Sequence, residues 1–244
     1  MRIDSFKNSL AARALARVEH KAGINAAVGV AYENIWAVAA TYTFLSAAGT
    51  LYMASSDQLN DPGLAITIEG LDTNWQRQVV TQTLSPVDAR IPILVGTTTT
   101  TWMRVNKAYV SDATAITGNV SIAREDAGTW VAGAPGTATT TQAYVAATQQ
   151  ESKQTVFSSS SNEEAFIFLL DLINNSADAT TFRLSIREFG STFIVKYTSP
   201  VVNNATFVKE WYLPLVVKSR SDVIVEAIAT AAADVAVDLE ILRN

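Results

Sequence analysis

Cysteine is missing from this chain altogether, and histidine occurs once, at His20. The first absence excludes disulfide staples and thiolate metal sites, and it is compatible with assembly in a reducing cytoplasm. The second leaves imidazole chemistry a single place to act. Charge is also scarce, at 17% of the 244 residues, and the formal net charge of −5 gives no general attraction to nucleic-acid phosphates. No GxGxxG, GxxxxGK or HExxH string is present, so nucleotide and zinc chemistry lack a starting motif. The N-terminus carries charges throughout, without the uninterrupted apolar stretch of a secretory signal. What the chain does have is bulk in Ala, Val and Thr, with 48% hydrophobic residues. A surface so poor in charge suits a subunit that buries itself in an assembly.

One uncharged run, Asn34 to Ser56, has the length of a bilayer span. It is interrupted by Thr41, Tyr42, Thr43, Ser46, Gly49 and Thr50, and no basic cluster flanks it. Two buried strands joined by a turn at Ala47, Ala48 and Gly49 are the better reading.

Residues 1–24 read as a short N-terminal α-helix. Asp4 or Ser5 can cap it, Phe6, Leu10, Ala14 and Val18 recur at spacings of four, and Gly23 closes it. Arg2, Lys7, Arg13, Arg17 and Lys21 outweigh Asp4 and Glu19, so a positive segment is joined to an acidic body. Either its apolar stripe packs on that body, or it docks on an acidic neighbour. In the docking reading the contact residues are Arg2, Phe6, Lys7, Leu10, Arg13 and Arg17.

Beyond Ala26 the helical period gives way to short segments rich in Val, Ile, Thr, Tyr, Phe and Trp, which predicts a mainly β protein. Strands are expected at 35–42, 50–54, 65–70, 78–84, 101–110 and 119–124. The alternation of Leu64 to Glu69, with Gln78 to Leu84 returning across the turn at Asp72 to Trp75, predicts a hairpin. Gly128 to Thr141 is low in complexity and reads as a linker between a first β domain, 25–127, and a second, 142–244. In the second, strands are expected at 143–148, 155–158, 165–173, 180–188, 192–198, 208–213, 223–230 and 236–242, which matches a β-sandwich of jelly-roll or Ig-like type. Phe182, Leu184 and Ile186 should face inward, and Pro214 should sit at a sheet edge.

Residues with chemical potential are few. His20 has no nucleophile elbow to serve. Asp171 with Asp178, or Glu163 with Glu164, could be posed as a glycosidase pair, but the latter pair follows the Ser158 to Asn162 loop. Asp57, Asp61 and Asp72 sit in turns without an EF-hand pattern. No catalytic, cofactor-binding or metal residue is assigned, and no enzyme is expected. Among Trp36, Trp75, Trp102, Trp130 and Trp211, the turn residue Trp75 and the linker residue Trp130 are the surface candidates for contact with a neighbouring subunit.

Ile66 to Trp75 (ITIEGLDTNW), followed by Trp102 to Val110 (WMRVNKAYV), resembles the hairpin and strand of virion proteins of tailed phages. Pro214 to Ala227 (PLVVKSRSDVIVEA) is similar to the closing strand pair of the same group. The resemblance covers about Ile35 to the C-terminus, and its motifs are structural. The basic N-terminal segment and the spacer near Pro86 to Pro92 have no counterpart in it. It implies a virion structural protein assembled in the host cytoplasm, binding copies of itself and other virion proteins, with neither nucleic acid nor membrane as partner. A capsid decoration or head-proximal appendage role comes first. A tail, neck or baseplate subunit, or a receptor-binding protein recognising host glycans, is the alternative.

Overall fold

A computed structural model describes residues 17–38, 40–85, 91–95, 98–99, 101–124, 129–147 and 149–243. They form a mainly β protein with several antiparallel sheets. The chain divides into two compact units. One is split in sequence, holding the described residues through Trp36 and those from Gln154 onward; the other, Ala37–Lys153, is inserted between the two pieces. The expected linker at 128–141 therefore falls inside the inserted unit. Its small residues serve close packing: a Cβ at Gly133 (φ 71°) would collide with the Ser55 backbone, and Thr140 and Thr141 are buried.

The split unit opens with β1 (Arg17–Val28) and β2 (Glu33–Asn34). The helix expected over 1–24 is thus corrected from Arg17 on; residues 1–16 lie outside the described residues. Alternation, not a period of four, governs this stretch. Val18, His20, Ala22 and Ile24 share one face and Glu19, Lys21 and Gly23 the other. Gly23 is no helix stop. A Cβ there would strike the Ile35 carbonyl oxygen and the Thr155 methyl, so the strand needs glycine for close approach. Among the described residues no strand runs over 35–42 as expected: β2 ends at Asn34, and Trp36 makes an isolated bridge to Gln154.

The inserted unit contains β3 (Gly49–Ser55), β4 (Ala65–Asp72), β5 (Arg77–Thr83), β6 (Ile91–Pro92), β7 (Leu94–Val95), β8 (Thr98–Thr99), β9 (Thr101–Val110), β10 (Val120–Arg124) and β11 (Thr141–Val145). Its main sheet runs β11-β10-β3-β9-β4-β5, with β6 also on β3. Strand β3 changes partner part-way, pairing β9 through Gly49 and Thr50 and β10 from Leu51 to Ser55. Side chains from both arms meet in one core, among them Met53, Ile122 and Val145 from one and Ile68, Val80 and Val105 from the other. The expected β4–β5 hairpin forms, with Ala65 opposite Thr83.

The chain then returns to the split unit with β12 (Phe157–Ser158), β13 (Ala165–Asn174), β14 (Thr180–Glu188), β15 (Ile194–Val201), β16 (Ala205–Val217), β17 (Ser221–Ala229) and β18 (Ala233–Arg243). One sheet is ordered β1-β18-β13-β16; the other is β12-β17-β14-β15, with β2 also on β17. A single core draws on both, including Leu170, Leu172, Val237 and Leu239 from the first and Phe182, Leu184, Val223 and Val225 from the second. Burying a side chain of this size contributes about 1.5–3 kcal/mol.

Candidate functional site

Of the residues expected to make contacts, Arg2, Phe6, Lys7, Leu10 and Arg13 lie outside the described residues. Arg17 starts β1, opposite Arg243. Trp75 is corrected: it is 3% exposed and packs with Leu45, Leu71 and Met103. The turn explains why. Asp72 accepts the Asn74 and Gln76 N–H groups at 2.8 and 2.9 Å, and Trp75 takes a left-handed φ of 60°, which returns its ring to the core. There the ring lies 5.0 Å from the guanidinium carbon of Arg104, a fully buried cation that also donates to the carbonyls of Leu45 and Met103. Trp130 is half-buried, and its enclosed indole N–H finds no acceptor among the described residues.

The posed catalytic pairs do not assemble a site, whereas Asp57 and Asp61 meet at the Thr117 hydroxyl. Asp171 lies on β13, on the face of its sheet opposite the core, while Asp178 lies in the exposed turn that follows. Glu163 pairs with Arg243 at 2.6 Å, and Arg243 also reaches Glu19 at 3.0 Å. Burial opposes ionisation of Glu19, but the charges and hydrogen bonds of Lys21 and Arg243 prevail and hold its carboxyl below the usual range.

Asp57 is held low by hydrogen bonds from the Asn60 and Thr117 side chains, aided by the Asn60 and Leu59 N–H groups. Asp61, fully buried, accepts from Ser55, Thr117 and the Gly118 N–H. Asp72 is occupied by its own turn and by Gln78. Each carboxylate is thus saturated by local donors, which fixes loops and leaves little capacity for an ion. Among the described residues no three His, Asp or Glu groups are placed to hold a metal.

His20 Nδ1 sits 3.1 Å from Asp238 Oδ2 on the outward face of the β1-β18-β13-β16 sheet. Burial, then the neighbouring charges of Asp238, Glu210 and Glu240, raise the Asp171 carboxyl, while His20 opposes them. In the inserted unit an open cleft of about 410 Å³ is lined by Glu69, Lys107, Tyr109, Val110, Gln150 and Glu151. Its charges are matched, Lys107 to Glu151 at 2.5 Å and Glu69 to Arg77 at 2.7 Å.

The region that stands apart is the consecutive strands β15 and β16, which lie in different sheets. Each strand ends its sheet, and between them they expose Ile194, Val195, Val208, Tyr212, Leu213 and Val216, at 49–74% of each residue's area. Behind them the Tyr197 and Trp211 rings meet edge to face at 5.6 Å, with the Lys209 ammonium over both. Sequence reasoning placed a strand at 208–213 with Pro214 at a sheet edge, but assigned no contact role to it. The available signal was its lack of alternation.

No protein-family model matches the chain, and no curated protein matches it. Among solved structures, one titled "Structure of infectious bursal disease virus Gx strain" aligns over 93% of this chain and 75% of its own, at 7% identity and a TM-score of 0.23. At that score the likeness carries no argument.

Proposed function

We propose that this chain is a structural subunit of a tailed-phage virion that works by binding neighbouring subunits, as a capsid decoration or head-proximal appendage protein. The observation that carries this reading is the concentration of exposed apolar side chains on β15 and β16. Monomeric proteins seldom leave such an edge open, because it invites association.

The strand order supports the finer fold reading of the split unit as a sandwich of jelly-roll type. Numbering β1 and β12 to β18 as first to eighth gives sheets ordered 1-8-3-6 and 2-7-4-5, as expected of two interleaved Greek keys. An Ig-like domain would instead place its first, second, fifth and fourth strands side by side. Jelly rolls recur in shell-forming and sugar-binding proteins, so fold alone is an analogy. The phage setting rests on the sequence resemblance of Ile66–Trp75, Trp102–Val110 and Pro214–Ala227.

Mass spectrometry of purified particles from the phage that encodes the chain is the test. Recovery at a fixed stoichiometry to the major head protein is expected, with cryo-EM density accounting for the chain at the head or neck. Absence from purified particles would sink the proposal.

A further inference from the structure

We infer that residues 1–16 cover the outer face of the β1-β18-β13-β16 sheet of their own chain, with apolar side chains on its apolar end and basic ones over its carboxylates. The inference does not depend on the virion reading.

The strand registers place this surface on one side of one sheet. Val18, Leu242, Phe166 and Val216 form a row across the four strands. The next row carries His20, Glu240 and Glu210, and the one after it Asp238 and Asp171. These side chains lie opposite the core, because the residues that alternate with them on β18, Leu239 and Ile241, face it. The outer face is thus apolar where β1 begins and acidic beyond, with Asp171, Glu210, Asp238 and Glu240 set against the single imidazole of His20.

Three observations select the occupant. Leu242 and Phe168 are only 2% exposed although they stand outside the main core, in a separate cluster with the half-buried Phe166 and Leu169. Satellite clusters of this kind form beneath a covering segment. Reach is the second: Arg17 pairs with Arg243, one position from the Val18–Leu242 pair, so the preceding chain leaves β1 at the apolar end. Sixteen residues span ~24 Å even at the helical rise, against ~15 Å across four strands. Pattern and charge are the third. Phe6, Leu10 and Ala14 recur at spacings of four, and Arg2, Lys7 and Arg13 outnumber Asp4, which complements a face that is apolar first and acidic next. Direct tethering gives the chain's own segment an effective concentration of about the millimolar range, ahead of the same segment from a second copy.

The absence of cysteine makes thiol cross-linking in the full chain a direct test, since introduced pairs report alone. Phe6→Cys, Leu10→Cys and Ala14→Cys are each combined with Leu169→Cys on the outer face and treated with a short bismaleimide. Variants with an unchanged circular dichroism spectrum are compared. At least one pair should give an intramolecular product, located by peptide mass spectrometry, in about tenfold excess over its match with Thr198→Cys. Thr198 is the control because it is exposed beside Arg183 on the outward face of the other sheet. Lys7→Glu/Arg13→Glu should lower that yield at low salt. No intramolecular product from any of the three pairs overturns the inference, as does equal reaction with Thr198→Cys. Cross-linked dimers in place of monomers would hand the face to the segment of a second copy and overturn it too. A yield unmoved by charge reversal overturns the charge complementarity on which the choice of occupant rests.

Discussion

Two strands of one sheet in the split unit use similar side chains to opposite effect. Strand β18 lies between β1 and β13, and its Val235, Val237, Leu239 and Ile241 are all at most 2% exposed. Strand β16, in the same sheet, offers Val208, Leu213 and Val216 with half or more of each in solvent. Face separates them as well as position in the sheet: the β18 residues point into the core, whereas Val208 and Val216 lie on the outward face, opposite Asp171 and Phe166. A central strand has its backbone groups paired on both sides and one face covered, whereas an edge strand has one side unpaired and only partial cover. The lesson is that apolar content predicts a strand without predicting what covers it.

The largest test of that contrast is a matched pair of truncations. Leu239→Ala should destabilise the split unit by about 2–5 kcal/mol in chemical denaturation, because it removes buried surface and leaves a cavity. Leu213→Ala should change stability by no more than about 0.5 kcal/mol, as an exposed site does. Equal costs would mean that the β16 edge is already covered within the monomer.

Next in size is the ion-pair group at the closed side. Glu19→Gln removes a charged hydrogen bond to the nearly buried Arg243, a loss of about 1.5–3 kcal/mol at neutral pH. Its pH signature has a definite sign. The folded carboxyl is held below its unfolded value, so its contribution is present above the unfolded value, near 4.5, and is lost as pH falls through the folded one. The variant should therefore show a shallower loss of stability on acidification.

Asp171 gives the smallest and opposite effect. Its folded carboxyl is raised by burial and by Asp238, Glu210 and Glu240, so its favourable contribution belongs to the protonated form and is lost as pH rises through the raised value. Asp171→Asn should raise the melting temperature slightly at pH 7 and not below pH 3, and salt should shrink the gain. An unchanged melting temperature at pH 7 and low salt would remove the acidic face as a source of strain.

Much of the strand plan was legible. The Thr101–Val110 and Thr180–Glu188 strands fall on their expected residues, the hairpin across Asp72 forms, and Phe182, Leu184 and Ile186 face the core. Each carries a local signal, an alternation or a turn residue with a fixed conformational demand. Three features had only misleading local signals. The helix expected over 1–24 gives way from Arg17 on to β1, which pairs with β18 across more than two hundred residues of sequence. The Gly, Ala and Thr of 129–141 fit a linker as well as a tightly packed crossing. Trp75 in a turn suggested exposure, but its left-handed backbone and the buried Arg104 draw it inward.

The sequence by itself determined that this is a mainly β chain and where most of its strands run, because alternation and turn residues are local properties. Tertiary structure decided the rest: that Gln154 onward joins Arg17–Trp36 in one unit, that Arg104 is matched inside the core, and that β16 rather than β18 is left open. Those outcomes depend on which strands find each other across long stretches of chain, and a strand's own residues do not encode which of its edges will remain unpaired.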